Sequence, residues 1–395
     1  MSPTQAAPQQ SMQGIVVPAS SVNPQAFFRA TRRLTFLQKT MTYAGLGQTD
    51  NVSILQTGIV AGITVKFSGS LVLTPGAGTI ATTARWPYDL FKAVRFSANG
   101  QSNLINVSGW KLKARDIMGR GDLSDRGVAQ AIGGASPGTA RTQGTLSLAS
   151  ESWGVGSNVT GLGAQTVAVE ISVFVPIAFD QVNLMGAIFA QTSSTDLNLA
   201  IDWASTADLF TLTGNATAVL TGNVVVEGVI YSIPQGPDGS VIVPDLSAFH
   251  SLIQTRSINM ANGENEIRLS GQGVGRQLLR TYWQVFNGAV GVPLPLTAAN
   301  FGPLGWRYGG NDTPEKYNDG LDLRYSNERL FNCDFGALAG FGIIDFASEN
   351  AFRDSVDEGS ATDLRLVINI GSGVALTSPV VEYVQETIFA GAVGA

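Results

Sequence analysis

A single cysteine, a single histidine and a charged fraction of 14% are the sparest features of this 395-residue sequence. One cysteine, Cys333, excludes an intrachain disulfide. It has no Cys or His neighbour at metal-ligand spacing, so it reads as buried filler. The one histidine, His250, stands between Phe249 and Ser251. A serine-hydrolase triad would need it, yet no G-x-S-x-G elbow supplies a nucleophile, so a structural histidine is expected. Gly271-Gln272-Gly273-Val274-Gly275-Arg276 lacks the Gly-Lys-Ser/Thr ending of a phosphate loop and reads as a turn. No run approaches ~20 uncharged apolar residues, which excludes a spanning helix. Met1 to Ser21 lack the basic and apolar regions of a signal peptide, so synthesis in a reducing host cytoplasm is expected.

Charge is scarce against a usual share near ~25%, which suggests that much of the exterior is buried against other subunits. The net charge of −6 is also uneven. The first 49 residues hold Arg29, Arg32, Arg33 and Lys39 and no acid, whereas Asp312 to Arg365 holds twelve acids against five bases. Residues 1–26, rich in Gln, Pro, Ser and Ala, read as a flexible arm. The basic and aromatic run Phe27 to Leu34 then reads either as a solvated strand start or as a contact with anionic headgroups or nucleic acid. Each cation near an anionic leaflet is worth ~1 kcal/mol, so the cluster would assist attachment without anchoring alone.

What the chain has in quantity is glycine, 46 residues of it, with Ser, Thr and Val. That composition suits strands joined by tight turns. Ile59 to Leu73 alternates strictly, Pro75-Gly76-Ala77-Gly78 turns it, and Asn99-Gly100 marks a hairpin between strands. A short helix is expected over Lys111–Met118, then a long Gly/Ser/Thr-rich loop, Gly119–Gly163. Val167, Val169, Ile171, Val173 and Val175 form one face of a strand that Pro176 ends, and Leu197, Leu199, Ile201 and Trp203 form another. Val219 to Ile233 follows, closed by the Pro/Gly cluster Pro234–Gly239. The second half repeats the order: short strands at Leu252–Met260, Asn265–Leu269 and Leu279–Phe286, an irregular stretch Asn287–Asp334, then strands at Leu338–Phe346, Leu364–Ile370 and Val380–Phe389. This duplication predicts an all-β chain of two tandem eight-stranded jelly-roll β-sandwiches with long loops and an N-terminal arm. The expected division is an arm and first strand over 1–49, a first jelly roll over 50–234 and a second over 235–395.

Paired carboxylates are the one enzymatic option, because glycosidases use β-sandwiches. Glu264 and Glu266 share a strand face, and Asp319 and Asp322 share a loop. Asp312, Asp319 and Asp322 fit no calcium-loop signature, and a solvated acidic loop is the blander reading. The six tryptophans, Trp86, Trp110, Trp153, Trp203, Trp283 and Trp306, are scattered rather than clustered as in a sugar cleft.

Three segments resemble one family in register. Gly58-Ile59-Val60-Ala61-Gly62-Ile63-Thr64-Val65-Lys66 is similar to an early strand of tectivirus-type double-jelly-roll major capsid proteins. Ser108-Gly109-Trp110-Lys111-Leu112 resembles their turn before a short helix. Val175-Pro176-Ile177-Ala178-Phe179 with Asn183-Leu184-Met185-Gly186-Ala187-Ile188 resembles the segment after a long strand of their first jelly roll. The resemblance covers mainly residues 50–205. It implies homotrimeric pseudo-hexagonal capsomers that tile an icosahedral shell around an internal membrane vesicle of a tailless dsDNA bacteriophage. It implies as partners neighbouring capsomers, penton and minor capsid proteins, and the internal membrane through the arm, with no specific nucleic acid, small-molecule substrate or cofactor. Arg29, Arg32, Arg33 and Lys39 are then the membrane- or capsomer-contact candidates, and no catalytic or metal residue is expected. The arm departs from the family in looking extended rather than helical. Deleting residues 1–33 is expected to leave the trimer folded and to weaken shell or membrane attachment. A carbohydrate-active enzyme and another β-sandwich surface or fibre protein are the alternatives.

Overall fold

The computed structural model describes residues 20–390, apart from 84, 121–123, 126–127, 130–145, 148–163, 192–195, 238, 258–259, 270–274, 288–291, 308–315, 332–339, 348–354 and 359–363. Most of the long loop, Cys333, Asp312 and most of the Gly271–Arg276 turn therefore lie outside the described residues.

The chain begins with β1 (Ser20–Val22), helix α1 (Pro24–Ala30), β2 (Arg33–Thr42), β3 (Thr49–Ser53) and β4 (Ile59–Thr74). Next are β5 (Phe91–Ala98), β6 (Gln101–Val107), α2 (Gly109–Arg120), β7 (Gln165–Pro176), β8 (Leu197–Trp203) and β9 (Thr217–Tyr231). The second half holds β10 (Val241–Val243), β11 (Ala248–Ser257), β12 (Gly263–Arg268), β13 (Arg276–Asn287), β14 (Phe301–Arg307) and β15 (Lys316–Tyr317). It ends with α3 (Gly320–Phe331), β16 (Phe341–Asp345), β17 (Arg365–Ile370) and β18 (Val380–Ala390).

Strict alternation makes β4 the hub of the first sheet. Ile63, Val65, Phe67, Leu71 and Leu73 are buried on one face, while Lys66 and Ser68 face outward. It pairs antiparallel with β7 on one side and β9 on the other, and β9 also pairs with β2, giving the order β2-β9-β4-β7. The hairpin between β5 and β6 turns through Asn99 (φ 51°) and Gly100 (φ 78°), the left-handed pair that a two-residue turn requires.

A long sheet runs through the whole molecule in the order β3-β8-β5-β6-β11-β18-β13, with β16 on the far side of β13. Its first four strands face the β4 sheet across a core that includes Phe96, Ile171, Leu199 and Trp203. Its last four face a sheet ordered β12-β17-β14-β15 across a second core of Trp283, Phe301, Trp306 and Ile368. Two-residue strands at Val128–Ala129 and Ile188–Phe189 also pair into the first sandwich, and Val292–Pro293 and Val356–Asp357 into the second, so among the described residues each sandwich has ten strands where eight were expected. Large side chains buried to this extent contribute roughly 1.5–3 kcal/mol each before entropy is counted. Trp203 anchors the first core, with Tyr43 edge-on at 4.7 Å and Phe91 at 5.1 Å.

The two sandwiches are not merely tandem. Strand β6 pairs in parallel with β11, Leu252 opposite Ile105 and Ile253 opposite Asn106, so one sheet serves both. The stretch Asn287–Asp334, expected to be irregular, contains β14, β15 and α3. Gly302, Pro303 and Gly305 mask β14 in the sequence, and the register shifts between Phe301 and Leu304.

Candidate functional site

The four basic residues singled out in the sequence lie at the start of the chain. Arg29 is in the last turn of α1, Arg32 precedes β2, Arg33 begins it and Lys39 is central to it, and all four are exposed. The segment carrying Arg29 is helical, contrary to the extended arm expected. Pro24 occupies the first turn, where its missing N–H costs nothing, and the Asn23 side chain accepts from the Ala26 N–H at 3.0 Å. Phe27 is fully buried among Ile59, Leu184, Phe189 and Tyr231. Thr31 Oγ1 donates to the Ser232 carbonyl at 2.6 Å, and β1 pairs with β10. Residues 20–33 are therefore part of the folded subunit.

The densest chemistry lies where the sandwiches meet. Helix α2 crosses there, with Lys111 and Arg115 one turn apart, facing β13 and β18. Arg115 donates through Nε to Glu386 Oε1 at 2.9 Å and through Nη2 to the same oxygen. His250 Nε2 lies 3.0 Å from that oxygen, and its Nδ1 lies 2.9 Å from the Pro176 carbonyl. Both ring nitrogens are thus engaged, one by a carboxylate and one by a backbone carbonyl. Arg280 Nε is 3.5 Å from Glu386 Oε2, and Arg280 Nη2 is 3.3 Å from Asp345.

Burial alone would raise the pKa of Glu386. The Arg115 and Arg280 charges, with the His250 hydrogen bond, outweigh burial and hold the carboxyl well below the usual range. At Asp345 the balance reverses, and burial raises the pKa despite Arg280.

A second buried group lies on the same strand. Arg85 contacts Asp89 at 3.1 Å and Glu382 at 2.9 Å, and Thr83 donates to Asp89 at 2.9 Å. Burial pushes the Asp89 carboxyl up against the pull of Arg85. Lys111 Nζ donates to Gln284 Oε1 at 2.7 Å and sits 4.8 Å over the Phe341 ring, and the Trp110 indole donates to the same Gln284 oxygen. Its burial is complete and pushes its pKa down to about 7. His250, expected from the sequence to be structural, is buried with both ring nitrogens engaged. The sequence signal for the other members is the charge of Glu382, Glu386 and Arg280 set among large apolar residues of β13 and β18.

The segment Val175 to Ile188 reaches this seam directly. Gly186 adopts φ +83°, and a Cβ there would stand 2.5 Å from His250 Cβ. Only glycine permits that approach.

Two clefts flank the seam. One, of about 1100 Å³, spreads over the outer face of the β4 sheet and is lined by Lys66, Glu227, Arg115, Arg280, Asp180 and Asp345. The other, of about 780 Å³, is lined by Arg85, Lys92, Asp208, Gln254 and Glu382. Their carboxylates are engaged: Glu227 with Lys66, Asp345 with Arg280, Asp208 with Lys92, and Asp180 with the Val182 N–H. The carboxylate pairs proposed from sequence are engaged too. Glu264 and Glu266 form an ion-paired ladder with Arg307 and Arg365 on the outer sheet. Asp319 accepts from the N–H groups of Leu321 and Asp322, capping α3. Among the described residues no cluster suited to a metal ion occurs.

Residues 37–228 match a family model described as the P3 major capsid protein N-terminal region. That span runs from within β2 to within β9, the strands of the first sandwich. No curated protein matches the chain. Among solved structures, the STIV MCP is similar at TM-score 0.63 and 15% identity, over 91% of this chain and 97% of that one. A structure of Sulfolobus Turreted Icosahedral Virus is similar at 0.61 and 15%, over 91% of each. A PBCV-1 virus capsid is similar at 0.53 and 12%, over 91% and 95%. These likenesses establish the double-jelly-roll fold.

Proposed function

We propose that this chain is the major capsid protein of an icosahedral virus, a tailless dsDNA bacteriophage of the tectivirus type with an internal membrane. The observation that carries the reading is the capsid-family match over the first sandwich, set in a chain that is similar over 91% of its length to a viral capsid protein structure. Its work is mechanical. Two sandwiches locked by one shared sheet and a buried ion network form a rigid tile, and three such tiles make a pseudo-hexagonal capsomer from six barrels. The subunit divides into an arm and first strand (1–49), a first jelly roll (50–234) and a second (235–395). Synthesis takes place in the bacterial cytoplasm, and the protein then enters the virion shell, meeting penton and minor capsid proteins there. Arg29, Arg32, Arg33 and Lys39 serve as contacts to the inner membrane or to a neighbouring capsomer, supported by their shared exposure on an acid-free segment. Engagement of Glu264 and Glu266 by arginines argues against the glycosidase alternative. Mass measurement and negative-stain imaging of the purified protein test the reading: trimers of pseudo-hexagonal outline are expected. A monomer under all conditions would overturn it.

A further inference from the structure

The smaller of the two clefts gathers hydrogen-bond donors that have no partner in the fold. Helix α2 runs from one cleft to the other. Ser108, directly before it, lines the cleft of about 780 Å³, whereas Arg115, Asp116 and Met118 line the larger one. The positive pole of the helix therefore opens on the smaller cleft. Ser108 is only 9% exposed, and its hydroxyl has no hydrogen-bond partner. A serine in that position ordinarily caps the first turn, and this one does not. A buried polar group without a partner is costly, so the Ser108 hydroxyl points to a ligand from outside the chain. Gly109 fixes the helix end in place, because a Cβ there would stand 2.6 Å from Phe91 Cβ and 2.7 Å from the Tyr88 carbonyl oxygen.

Strand β11 supplies the other donors. Gln254 and Arg256, two residues apart, share one face of the strand and line the same cleft. Gln254 Oε1 accepts the Ser108 N–H at 2.9 Å, which ties β11 to the start of α2 and leaves the Gln254 NH2 group as a donor. Arg256 is exposed and, among the described residues, pairs with no carboxylate. The three carboxylates of the cleft are already engaged, Asp89 and Glu382 by Arg85 and Asp208 by Lys92. Glu382 stands opposite Arg256 in the strand register, yet it is Arg85 that it meets at 2.9 Å. The uncommitted groups are thus a hydroxyl, an amide NH2 and a guanidinium beside a helix N-terminus, a set that suits an oxyanion. We propose that this cleft binds one phosphate-class oxyanion, held by Ser108, Gln254 and Arg256 at the N-terminus of α2. Such an ion bridges a helix of the first half of the chain and a strand of the second, so its binding stabilises the seam by mass action.

Titration calorimetry of the full-length protein with inorganic phosphate, at an ionic strength held constant with chloride, tests the site. One phosphate should bind per chain, and the melting temperature should rise with phosphate concentration. Ser108→Ala and Arg256→Gln should each weaken binding roughly tenfold. Both should keep the wild-type melting temperature in chloride alone, since the Ser108 hydroxyl has no bond to lose and Arg256 is exposed. Lys39→Gln removes the same charge away from the cleft and should leave binding unchanged. Equal weakening by all three variants would mean that phosphate responds to overall charge, and would overturn the site. Wild type that shows no saturable binding, or binding untouched by both cleft variants, overturns it as well. Binding of phosphatidylglycerol vesicles that Arg256→Gln abolishes and free phosphate does not displace would assign the guanidinium to a lipid surface, again against the proposal.

Discussion

Arg115 directs two nitrogens at one oxygen of Glu386, a residue 271 positions further along the chain, in a site buried between the two sandwiches. The contact ties the helix after β6 to the last strand of the fold. Glu386 loses its principal counter-charge if Arg115 is replaced by Met. Breaking a buried pair from one side costs about 3–5 kcal/mol, because the remaining charge is stranded. Arg115→Met should therefore lower the free energy of unfolding by that amount, read from denaturant titration. Arg115→Met combined with Glu386→Gln should recover part of the loss. A single variant within 1 kcal/mol of wild type would show that water reaches the pair.

Lys111 gives the seam a pH dependence with a definite sign. Its pKa falls from the ordinary 10.5 to about 7 on folding, so between those values the unfolded chain binds more protons than the folded one. Stability contributed by this group therefore rises with pH across that window, by up to about 1 kcal/mol per unit, and is flat below it. Lys111→Met removes the titration. The variant should gain most over wild type at pH 6 to 7 and progressively less towards pH 10. Parallel unfolding curves for the two proteins across that range would refute the assignment.

Much of the fold was legible because the strands alternate cleanly. The runs at Ile59–Leu73, Val167–Val175 and Leu197–Trp203 all lie within strands, and the Asn99-Gly100 turn lies where its chemistry requires. The shared sheet was not legible, since nothing local in Ile105 or Leu252 specifies a parallel partner far along the chain. Helix α3 and β14 were hidden by Gly, Pro and Asn, whose local preferences were overridden by packing of Trp306 and Leu323 into the second core. The seam charges were visible as residues but not as a network, because pairing between Arg115 and Glu386 exists only in the folded chain.

The N-terminal segment illustrates the same limit and revises the deletion experiment. Phe27 is fully buried on the outer face of the first sheet, so removing residues 1–33 would open a cavity and strip the Thr31 contact with Ser232. Phe27→Ala should cost about 3–5 kcal/mol, read from thermal or denaturant unfolding. Deleting residues 1–19 alone leaves those contacts in place, and the melting temperature should hold. Attachment to anionic vesicles or to the shell then reports the arm's own role. A wild-type melting temperature for Phe27→Ala would refute the docking of α1.

Gly186 offers the sharpest test of why Val175–Ile188 is built as it is. Its φ of +83° is strained for any L side chain, and the space a methyl group would fill holds the backbone and Cβ of His250 within 2.5 to 3.2 Å. Gly100 has nearly the same φ, +78°, but nothing within 4 Å of the added Cβ. The pair separates conformational strain from steric exclusion. Gly100→Ala should cost about 1 kcal/mol, the strain alone. Gly186→Ala should cost at least about 2–3 kcal/mol more, because His250 must shift, and with it the bonds to Pro176 and Glu386 that close the seam. Unfolding midpoints of the two variants decide the matter. Equal losses would mean that the loop yields to the methyl group and that the glycine serves only the turn.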